Sequence, residues 1–331
     1  MEYVSLKNSD IKISRMAMGT WGFSGAKEWG PGDDRTAMET IHQALDCGIN
    51  AFDSAERYGG GHAEEVLGKA IQDRREQAVV CTKVYTTNLR YEDVISHCEE
   101  SLRRLNTDYI DIYQIHWPSK TIPLEETLGA MEQLKRDGKI RELGVCNFGA
   151  ASLESCKGHP IVTNQMPYSL LWRLVENTPV LEKCREQGMS IFTYSPLAQG
   201  LLTGKYRTLE DVPMNRRTTR YYSGKWQQGR HNDTGFEEII FPFLDRLRQL
   251  CEESGYTMAQ IALNFLRAQS CVSSVLIGCR TPQQLQQNLE SFETKVPEDV
   301  VARAAALSAE LTPQMGTNVD LWEDQNGGRF F

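Results

Sequence analysis

The chain has 331 residues, 40% of them hydrophobic, and a formal net charge of −8 at pH 7. That negative charge argues against nucleic acid or an anionic membrane as the main partner. The start, MEYVSLKNSD, lacks the layout of a signal peptide, and no apolar run reaches the ~18 residues of a membrane span. Nine cysteines without Cys-x-x-Cys spacing and six histidines without paired helical spacing predict neither disulfides nor a metal site. We therefore expect a cytoplasmic protein with no metal, no nucleic acid and no membrane among its partners.

The predicted elements alternate regularly along the chain. The segment YVSLKNSDIKIS predicts a hairpin that turns at Asn8-Ser9-Asp10. Apolar runs then predict eight strands, at 16–19, 50–53, 79–83, 110–115, 143–146, 162–165, 190–194 and 274–277. The segments between them, such as YEDVISHCEESLRRLN, carry apolar residues at the three- and four-residue intervals of a helix. This pattern predicts an α/β fold, a (β/α)8 TIM barrel with the hairpin on its floor, formed by residues 1–331 as a single domain.

Two segments depart from the alternation. The connection after the seventh strand, about 198–235, is rich in Gly, Arg, Tyr and Asn and lacks an apolar period. We expect it to be weakly packed and mobile, and to close over the bound cofactor as a lid. Its arginines Arg216, Arg217 and Arg220 are interpreted as solvated charges, with contact to an anionic substrate or a cofactor phosphate as the alternative. Near the end, PEDVVARAAALSAEL predicts an extra C-terminal helix.

Polar side chains follow three neighbouring strands of the predicted barrel. Asp53 and Tyr58 follow the second strand, Lys83 ends the third, and His116 follows the fourth. In such barrels the chemistry lies at the carboxyl ends of the strands. An ammonium beside the phenol would lower the pKa of Tyr58, and the aspartate would keep the lysine charged. Together the four residues predict a proton donor placed beside a carbonyl oxygen that gains negative charge during the reaction. Taken alone, Lys83 also fits a surface charge, Asp53 a turn cap and His116 a packed loop residue.

Four segments resemble the signature segments of the aldo-keto reductase family: AFDSAERYG, VVCTKVY, SLRRLNTDYIDIYQIHWP and GKIRELGVCNF. The similarity runs from the first hairpin to the eighth helix. It implies a barrel that binds NADPH without a Rossmann domain and reduces an aldehyde or ketone to the alcohol. It also implies that Asp53, Tyr58, Lys83 and His116 form the catalytic tetrad, with Tyr58 as the general acid. Bacterial members that act on sugar-like or small carbonyls are the most similar, so we expect a small-molecule carbonyl substrate; the oligomeric state stays open.

The resemblance also assigns a cofactor site. Asn147 and Gln165 would hold the nicotinamide carboxamide, and the ring of Tyr194 would stack on the nicotinamide. Cys146 stands where many members have serine, and a thiol is the weaker hydrogen-bond donor. The segment SPLAQGLLTGKY would wrap the pyrophosphate, and in IGCRTPQQLQQNL the guanidinium of Arg280 would meet the 2′-phosphate. The implied cofactor contacts are Cys146, Asn147, Gln165, Tyr194, Ser195, Leu197, Gly200, Lys205, Gly278, Arg280, Gln284 and Asn288.

Aromatic side chains are expected to rim the substrate pocket, with simple packing of the barrel mouth as the alternative for each. They are Trp21, Tyr85, Trp117 and Trp172. Two other functions stay open at this point. A Schiff-base aldolase would use Lys83 in its neutral form. A redox-sensing protein would bind NADPH tightly and regulate a partner with little turnover.

Overall fold

The computed structural model describes residues 1–25, 29–226, 229 and 231–323. An antiparallel hairpin comes first, with strands β1 (Tyr3–Ser5) and β2 (Lys12–Ser14). Eight parallel strands then close into a barrel in chain order. They are β3 (Met16–Gly19), β4 (Ala51–Asp53), β5 (Val79–Val84), β6 (Ile110–Ile115), β7 (Ile140–Cys146), β8 (Ile161–Pro167), β9 (Ser190–Tyr194) and β10 (Val272–Gly278). The predicted barrel is confirmed, and β3, β6 and β9 have the predicted bounds.

Helices pack around the outside of the barrel. In the described part of the chain they are α1 (Asp34–Asp46), α2 (His62–Ile71), α3 (Tyr91–Leu105), α4 (Leu124–Arg136), α5 (Ala150–Ser155), α6 (Val180–Glu186), α7 (Glu237–Ser254), α8 (Met258–Arg267), α9 (Pro282–Glu293) and α10 (Glu298–Ala309). Both α7 and α8 lie between β9 and β10, and α10 is the predicted C-terminal helix, packed against α7 and α8. Among the described helices, none is both long and apolar enough to cross a bilayer.

Helix α3 shows how the sequence sets these elements. Its buried residues Val94, Cys98 and Leu105 recur at helical spacing and face the core. The helix ends at Asn106, which has a left-handed φ of 50° and donates its N–H to carbonyls of the last turn. Asparagine tolerates that conformation, so the local sequence determines both the buried face of the helix and its end.

The floor of the barrel is apolar. The hairpin inserts Leu6, Ile11 and Ile13 beneath the barrel, where they pack with inward-facing strand residues such as Ala51 and Phe192. All five side chains are at most 3% exposed. The prediction that the hairpin covers the floor is confirmed.

The long connection after β9 is not the weakly packed segment that the sequence suggested. Arg217 is 6% exposed and donates to the carbonyls of Leu209 and Val212. Arg220 is 4% exposed and forms an ion pair with Asp233 at 2.5 Å. The interpretation of Arg217 and Arg220 as solvated charges is therefore wrong.

The same connection contributes to the apolar core. Tyr221 and Tyr222 are 0% and 2% exposed. Arg220 also donates to the carbonyls of Asn318 and Asp320, both at 2.8 Å, and so attaches the connection to the C-terminal tail. The buried arginines and tyrosines of this connection follow neither a helical nor a strand period, so the sequence did not indicate their packing.

Candidate active site

Strand order brings the predicted tetrad to one place. Asp53 ends β4, Lys83 lies near the end of the adjacent β5, and His116 follows β6, the next strand. Tyr58 begins the short 3₁₀ turn after β4. Gly59 has a φ of 64°, and a Cβ there would lie 2.2 Å from the carbonyl oxygen of Ser24, so this turn requires glycine.

Lys83 is fully buried and paired with Asp53. Its Nζ donates to both carboxylate oxygens of Asp53 at 2.7 Å and to the carbonyl of Ser54 at 2.6 Å. Burial opposes the charge on Lys83, but Asp53 and then Tyr58 raise its pKa above the ordinary value. Lys83 is therefore an ammonium at neutral pH. A Schiff-base aldolase needs a neutral amine, so the structure does not favour that alternative.

Tyr58 lies beside this ammonium, with its ring centroid 5.2 Å from the Nζ of Lys83. Burial raises the pKa of Tyr58 to about 12, although Lys83 acts in the opposite direction and lowers it. The expectation that the net effect is a lowered pKa is wrong, because removing the phenolate from water outweighs the nearby charge. The phenol is therefore protonated at neutral pH, as a proton donor must be.

His116 faces the same opening. Its ring meets the ring of Tyr58 edge-on with centroids 6.0 Å apart, and that of Tyr85 at 5.9 Å. On the other side of Tyr58 lies Trp21, with ring centroids 6.2 Å apart. Trp117, the next residue after His116, is 4% exposed. Of the four predicted aromatic residues, Trp21 and Tyr85 therefore contact the tetrad. Trp117 is the neighbour of His116 in the chain.

The residues assigned to the nicotinamide are linked to the tetrad by hydrogen bonds. Gln165 donates its Nε2 to Oδ1 of Asp53 at 2.8 Å. Asn147 donates to the carbonyl of His116 at 3.0 Å and accepts from the hydroxyl of Tyr194 at 2.9 Å. Cys146 is buried, and its thiol donates to Oε1 of Gln114 at 3.5 Å, so the thiol makes one weak hydrogen bond here.

The segment assigned to the pyrophosphate has unusual backbone geometry. Ser195, Ala198, Gln199 and Gly200 all have positive φ, between 47° and 101°. The N–H groups of Ala198 and Gly200 are bonded within this turn, to the carbonyls of Ser195 and Leu197, both at 2.9 Å. The Nε2 of Gln199 is buried without a hydrogen-bond partner in the described part of the chain. A Cβ at Gly200 would lie 2.8 Å from the Nζ of Lys205, which places that ammonium against the turn.

The main chain of Leu197 closes this turn, because its carbonyl accepts from Gly200 at 2.9 Å and from Leu202 at 3.2 Å. The unpartnered amide of Gln199 and the ammonium of Lys205, both beside this turn, fit a bound diphosphate.

The segment assigned to the adenosine end lies at the N-terminus of α9. The main-chain N–H of Arg280 donates to Oε1 of Gln284 at 2.8 Å, and Asn288 donates to the carbonyl of Gly278 at 3.4 Å. The guanidinium of Arg280 donates to the carbonyls of Trp29 at 2.5 Å and Pro31 at 2.7 Å. Within the described residues it has no carboxylate partner, so its charge is available to an anionic group.

One predicted pocket residue lies elsewhere. Trp172 is fully buried, packs edge-on against Tyr221 at 5.6 Å and donates its Nε1 to the carbonyl of Val319 at 2.9 Å. The prediction that it rims the pocket is corrected, because the long connection covers it.

Two other tryptophans were missed. Trp29 and Trp322 both meet Trp21 edge-on, at 5.2 Å and 5.6 Å. Arg216 places its guanidinium 3.9 Å from the ring of Trp29. Both tryptophans lie in irregular segments whose sequences carry no period, so only the folded chain reveals their position.

The closed barrel, with an aspartate–lysine pair beside a tyrosine and a histidine at its mouth, is that of a carbonyl-reducing oxidoreductase with a nicotinamide cofactor. Residues 15–309 match the model of the Aldo/keto reductase family, and the chain belongs to this family. It is 34% identical to aldo-keto reductase YhdN of Bacillus subtilis over 86% of this chain and 87% of that protein. It is 33% identical to the NADH-specific methylglyoxal reductase of Escherichia coli, over 90% and 95% of the two chains.

A solved structure supports the same conclusion. The aldo/keto reductase of Klebsiella pneumoniae in complex with NADP and acetate is 26% identical, with a TM-score of 0.70, over 92% of this chain and 95% of that chain. The resemblance found in the sequence segments is thus confirmed across the barrel. In the described residues, no group of three or more His, Cys, Asp or Glu side chains could hold a metal ion.

Proposed function

We propose that this protein reduces a small aldehyde or ketone, including sugar-derived carbonyls, with NADPH, and that Tyr58 is the general acid. The observation that carries the proposal is the fully buried Lys83, which is bound to both oxygens of Asp53 and lies beside a protonated phenol. A buried ion pair costs free energy in a fold, so its position next to a proton donor points to chemistry.

Residues around the mouth of the barrel would bind successive parts of the cofactor. Gln165, Asn147 and Tyr194 would hold the nicotinamide end, the turn at 195–200 with Lys205 would hold the diphosphate, and Arg280 would hold the 2′-phosphate. When bound, the reduced nicotinamide supplies the hydride for the carbonyl carbon.

The protein supplies the proton. Tyr58 donates its phenolic proton to the carbonyl oxygen, which becomes more basic than a phenolate as it gains charge. Lys83 stabilises the phenolate that remains, and Asp53 keeps Lys83 charged and in place. His116, on the other side of the opening, orients the carbonyl oxygen by a hydrogen bond. Solvent then returns a proton to Tyr58.

Cofactor choice depends on Arg280. The Escherichia coli relative is named for NADH, whereas only NADPH carries the phosphate that a guanidinium grips. We expect a preference for NADPH of roughly 10- to several-hundred-fold in affinity, because charge-assisted hydrogen bonds contribute about 1.5–3 kcal/mol each. Arg280→Ala should remove most of it, as measured by fluorescence titration with both cofactors.

Arg103→Ala is the matched control, since Arg103 is 74% exposed in α3. It should leave both affinities unchanged. Equal affinities of the unmutated protein for NADPH and NADH would exclude the assigned role of Arg280.

The substrate follows from the pocket walls. Trp21 and Tyr85 are partly exposed beside the tetrad and offer apolar surfaces that fit a small carbonyl compound or the apolar face of a sugar. The buried Trp117, next to His116 in the chain, would support this wall. Two relatives in Escherichia coli are named methylglyoxal reductases. A substrate panel with methylglyoxal, glyceraldehyde, aldoses and benzaldehydes, followed by NADPH absorbance, tests the proposal. Turnover of no carbonyl, together with slow cofactor exchange, would instead support the redox-sensing alternative.

Two further expectations belong to this proposal. A hydrophobic cluster that includes residues from Met16 to Leu321 supports one domain over residues 1–331. All nine cysteines are free, which supports a reducing compartment such as the cytoplasm.

A further inference from the structure

The buried carboxylate of Glu56 has no part in the proposed reaction. Glu56 lies in the turn after β4 and is 8% exposed. Its Oε1 accepts from the main-chain N–H of Tyr85 at 2.6 Å and from Nδ2 of Asn88 at 2.9 Å. Its Oε2 lies 2.6 Å from Nδ1 of His97. The carboxylate is therefore held by three groups at once.

All three groups come from one stretch of chain, the loop after β5 and helix α3. Glu56 therefore joins the turn that carries Tyr58 to the loop that carries Tyr85. A buried carboxylate is costly, and an apolar residue of similar volume often serves stability as well or better. What the carboxylate adds is a fixed spacing between the two segments.

Arg57, the next residue, contacts the ring of Tyr85. Its guanidinium lies 4.7 Å from the centroid of the Tyr85 ring. That ring in turn meets His116 edge-on at 5.9 Å, and His116 meets Tyr58 at 6.0 Å. Glu56 thus holds the backbone of Tyr85, and Arg57 contacts the ring of Tyr85.

We propose that Glu56 and Arg57 are positioning residues that fix Tyr85 as a wall of the substrate site at a set distance from Tyr58. The proposal rests on the proposed function, because the wall has meaning only if a carbonyl binds there. A displaced Tyr85 should weaken binding of substrates large enough to touch it, while small substrates and the cofactor bind as before.

The same strand offers a matched control. At the opposite end of β5, the buried carboxylate of Asp111 accepts from the main-chain N–H of Val80 at 3.0 Å. Asp111 also pairs with Arg75 at 2.8 Å and Arg141 at 2.7 Å. It is 1% exposed and lies at the floor end, far along the strand from the opening. Asp111→Asn therefore removes a buried carboxylate of β6 that contacts the floor end of β5, without changing the position of Tyr85.

The experiment measures KM and kcat for methylglyoxal and for the larger 4-nitrobenzaldehyde, and the Kd of NADPH. It compares the unmutated protein with Glu56→Gln, Arg57→Met, Arg57→Lys and Asp111→Asn. For Glu56→Gln we expect KM for 4-nitrobenzaldehyde to rise about tenfold, the effect of one lost charge-assisted hydrogen bond. KM for methylglyoxal and the Kd of NADPH should change less than about twofold.

Arg57→Met should change KM for 4-nitrobenzaldehyde in the same direction by about threefold, because an exposed cation–π contact is weak. Arg57→Lys should restore the unmutated value, and Asp111→Asn should leave the ratio of the two KM values unchanged. Arg57 is exposed, so its two variants decide the matter if Glu56→Gln does not fold.

An unchanged KM ratio in Glu56→Gln and Arg57→Met would overturn the proposal, as would an equal loss for both substrates and the cofactor. If the unmutated protein reduces no carbonyl of the substrate panel, the proposed function fails instead. The crystal structure of Glu56→Gln then decides the positioning role. Tyr85 should leave its edge contact with His116, and a Tyr85 ring in its original place would refute the role.

Discussion

The two ends of the barrel use different physical chemistry. At the floor, Leu6, Ile11 and Ile13 fill the barrel with side chains that need no hydrogen-bond partner. At the mouth, Lys83 and Asp53 are 0% and 4% exposed yet charged. Burial of apolar surface contributes about 25 cal/mol per Å², whereas a buried ion pair often contributes nothing net. The apolar floor therefore stabilises the fold, and the buried charges at the mouth are kept at a cost to that stability.

Backbone geometry follows the same division. Asn147, Ser195, Ala198 and Gln199 have positive φ and lie at or after the carboxyl ends of β7 and β9. Such conformations cost on the order of 1–3 kcal/mol each in non-glycine residues. They are concentrated where the cofactor would bind, so variants at the mouth should change activity, whereas variants at the floor should change stability alone.

The largest expected effect is that of Tyr58→Phe. Loss of the phenolic hydroxyl should lower kcat for reduction by ~10²–10⁴-fold, the usual contribution of a general acid. The Kd of NADPH and the urea midpoint should stay close to those of the unmutated protein. Because the pKa of Tyr58 is about 12, kcat of the unmutated protein should show no Tyr58 ionisation at neutral or mildly alkaline pH. If Tyr58→Phe retains a tenth or more of the kcat of the unmutated protein, Tyr58 is not the general acid.

The next largest effect concerns the ion pair. Lys83→Met leaves the carboxylate of Asp53 buried without its cation, which should lower the free energy of unfolding by about 3–5 kcal/mol and abolish turnover. Adding Asp53→Asn removes the uncompensated charge. The double variant should therefore recover part of the lost stability in urea denaturation, but no activity. No recovery would mean that the pair contributes through packing alone.

Variants at the floor should lower stability without changing activity. Ile13→Ala opens a cavity at a fully buried position and should cost roughly 2–5 kcal/mol of unfolding free energy. At temperatures well below the transition, kcat and KM should not change. Lys12→Ala, at the exposed neighbouring position, is the control and should alter neither stability nor activity. A parallel fall in kcat for Ile13→Ala would show that the two ends are coupled.

The smallest effect should appear in limited proteolysis. Lys225 is exposed in the long connection, whereas Arg217 is buried, so trypsin should cleave after Lys225 first. If the connection closes over bound cofactor, saturating NADPH should slow this cleavage severalfold. Cleavage after Lys7, in the floor hairpin, should not respond. Equal rates after Lys225 with and without NADPH would argue against a lid.

The sequence predicted the fold because its barrel strands are short apolar runs with local signals at both ends. The tetrad followed from strand order alone, since parallel strands place Asp53, Lys83 and His116 at one end of the barrel. The raised pKa of Tyr58 could not be predicted from the sequence, because the burial of Tyr58 depends on residues distant in sequence, such as Trp21.

The errors lie in irregular segments. Trp172 is expected at the pocket as an aromatic residue, but the connection that buries it lies about fifty residues further along the chain. Arginine is usually exposed, so the sequence favours solvated side chains for Arg217 and Arg220. Their carbonyl partners, at Leu209, Val212 and Asn318, have no side-chain signature that a sequence could display.

The closure of the barrel, in which β10 pairs with β3, bears on how this protein can diverge. Each barrel strand has two neighbours, so no barrel strand offers a free edge to another chain. Lengthening a surface connection costs only ~0.6 kcal/mol for each doubling of its length. The segment between β9 and α7 can therefore be extended at its exposed positions, such as Lys225, without exposing the sheet to aggregation. Such an extension leaves unchanged both its buried anchors, Arg220 and Tyr221, and the ends of β4, β5 and β6 that carry the tetrad.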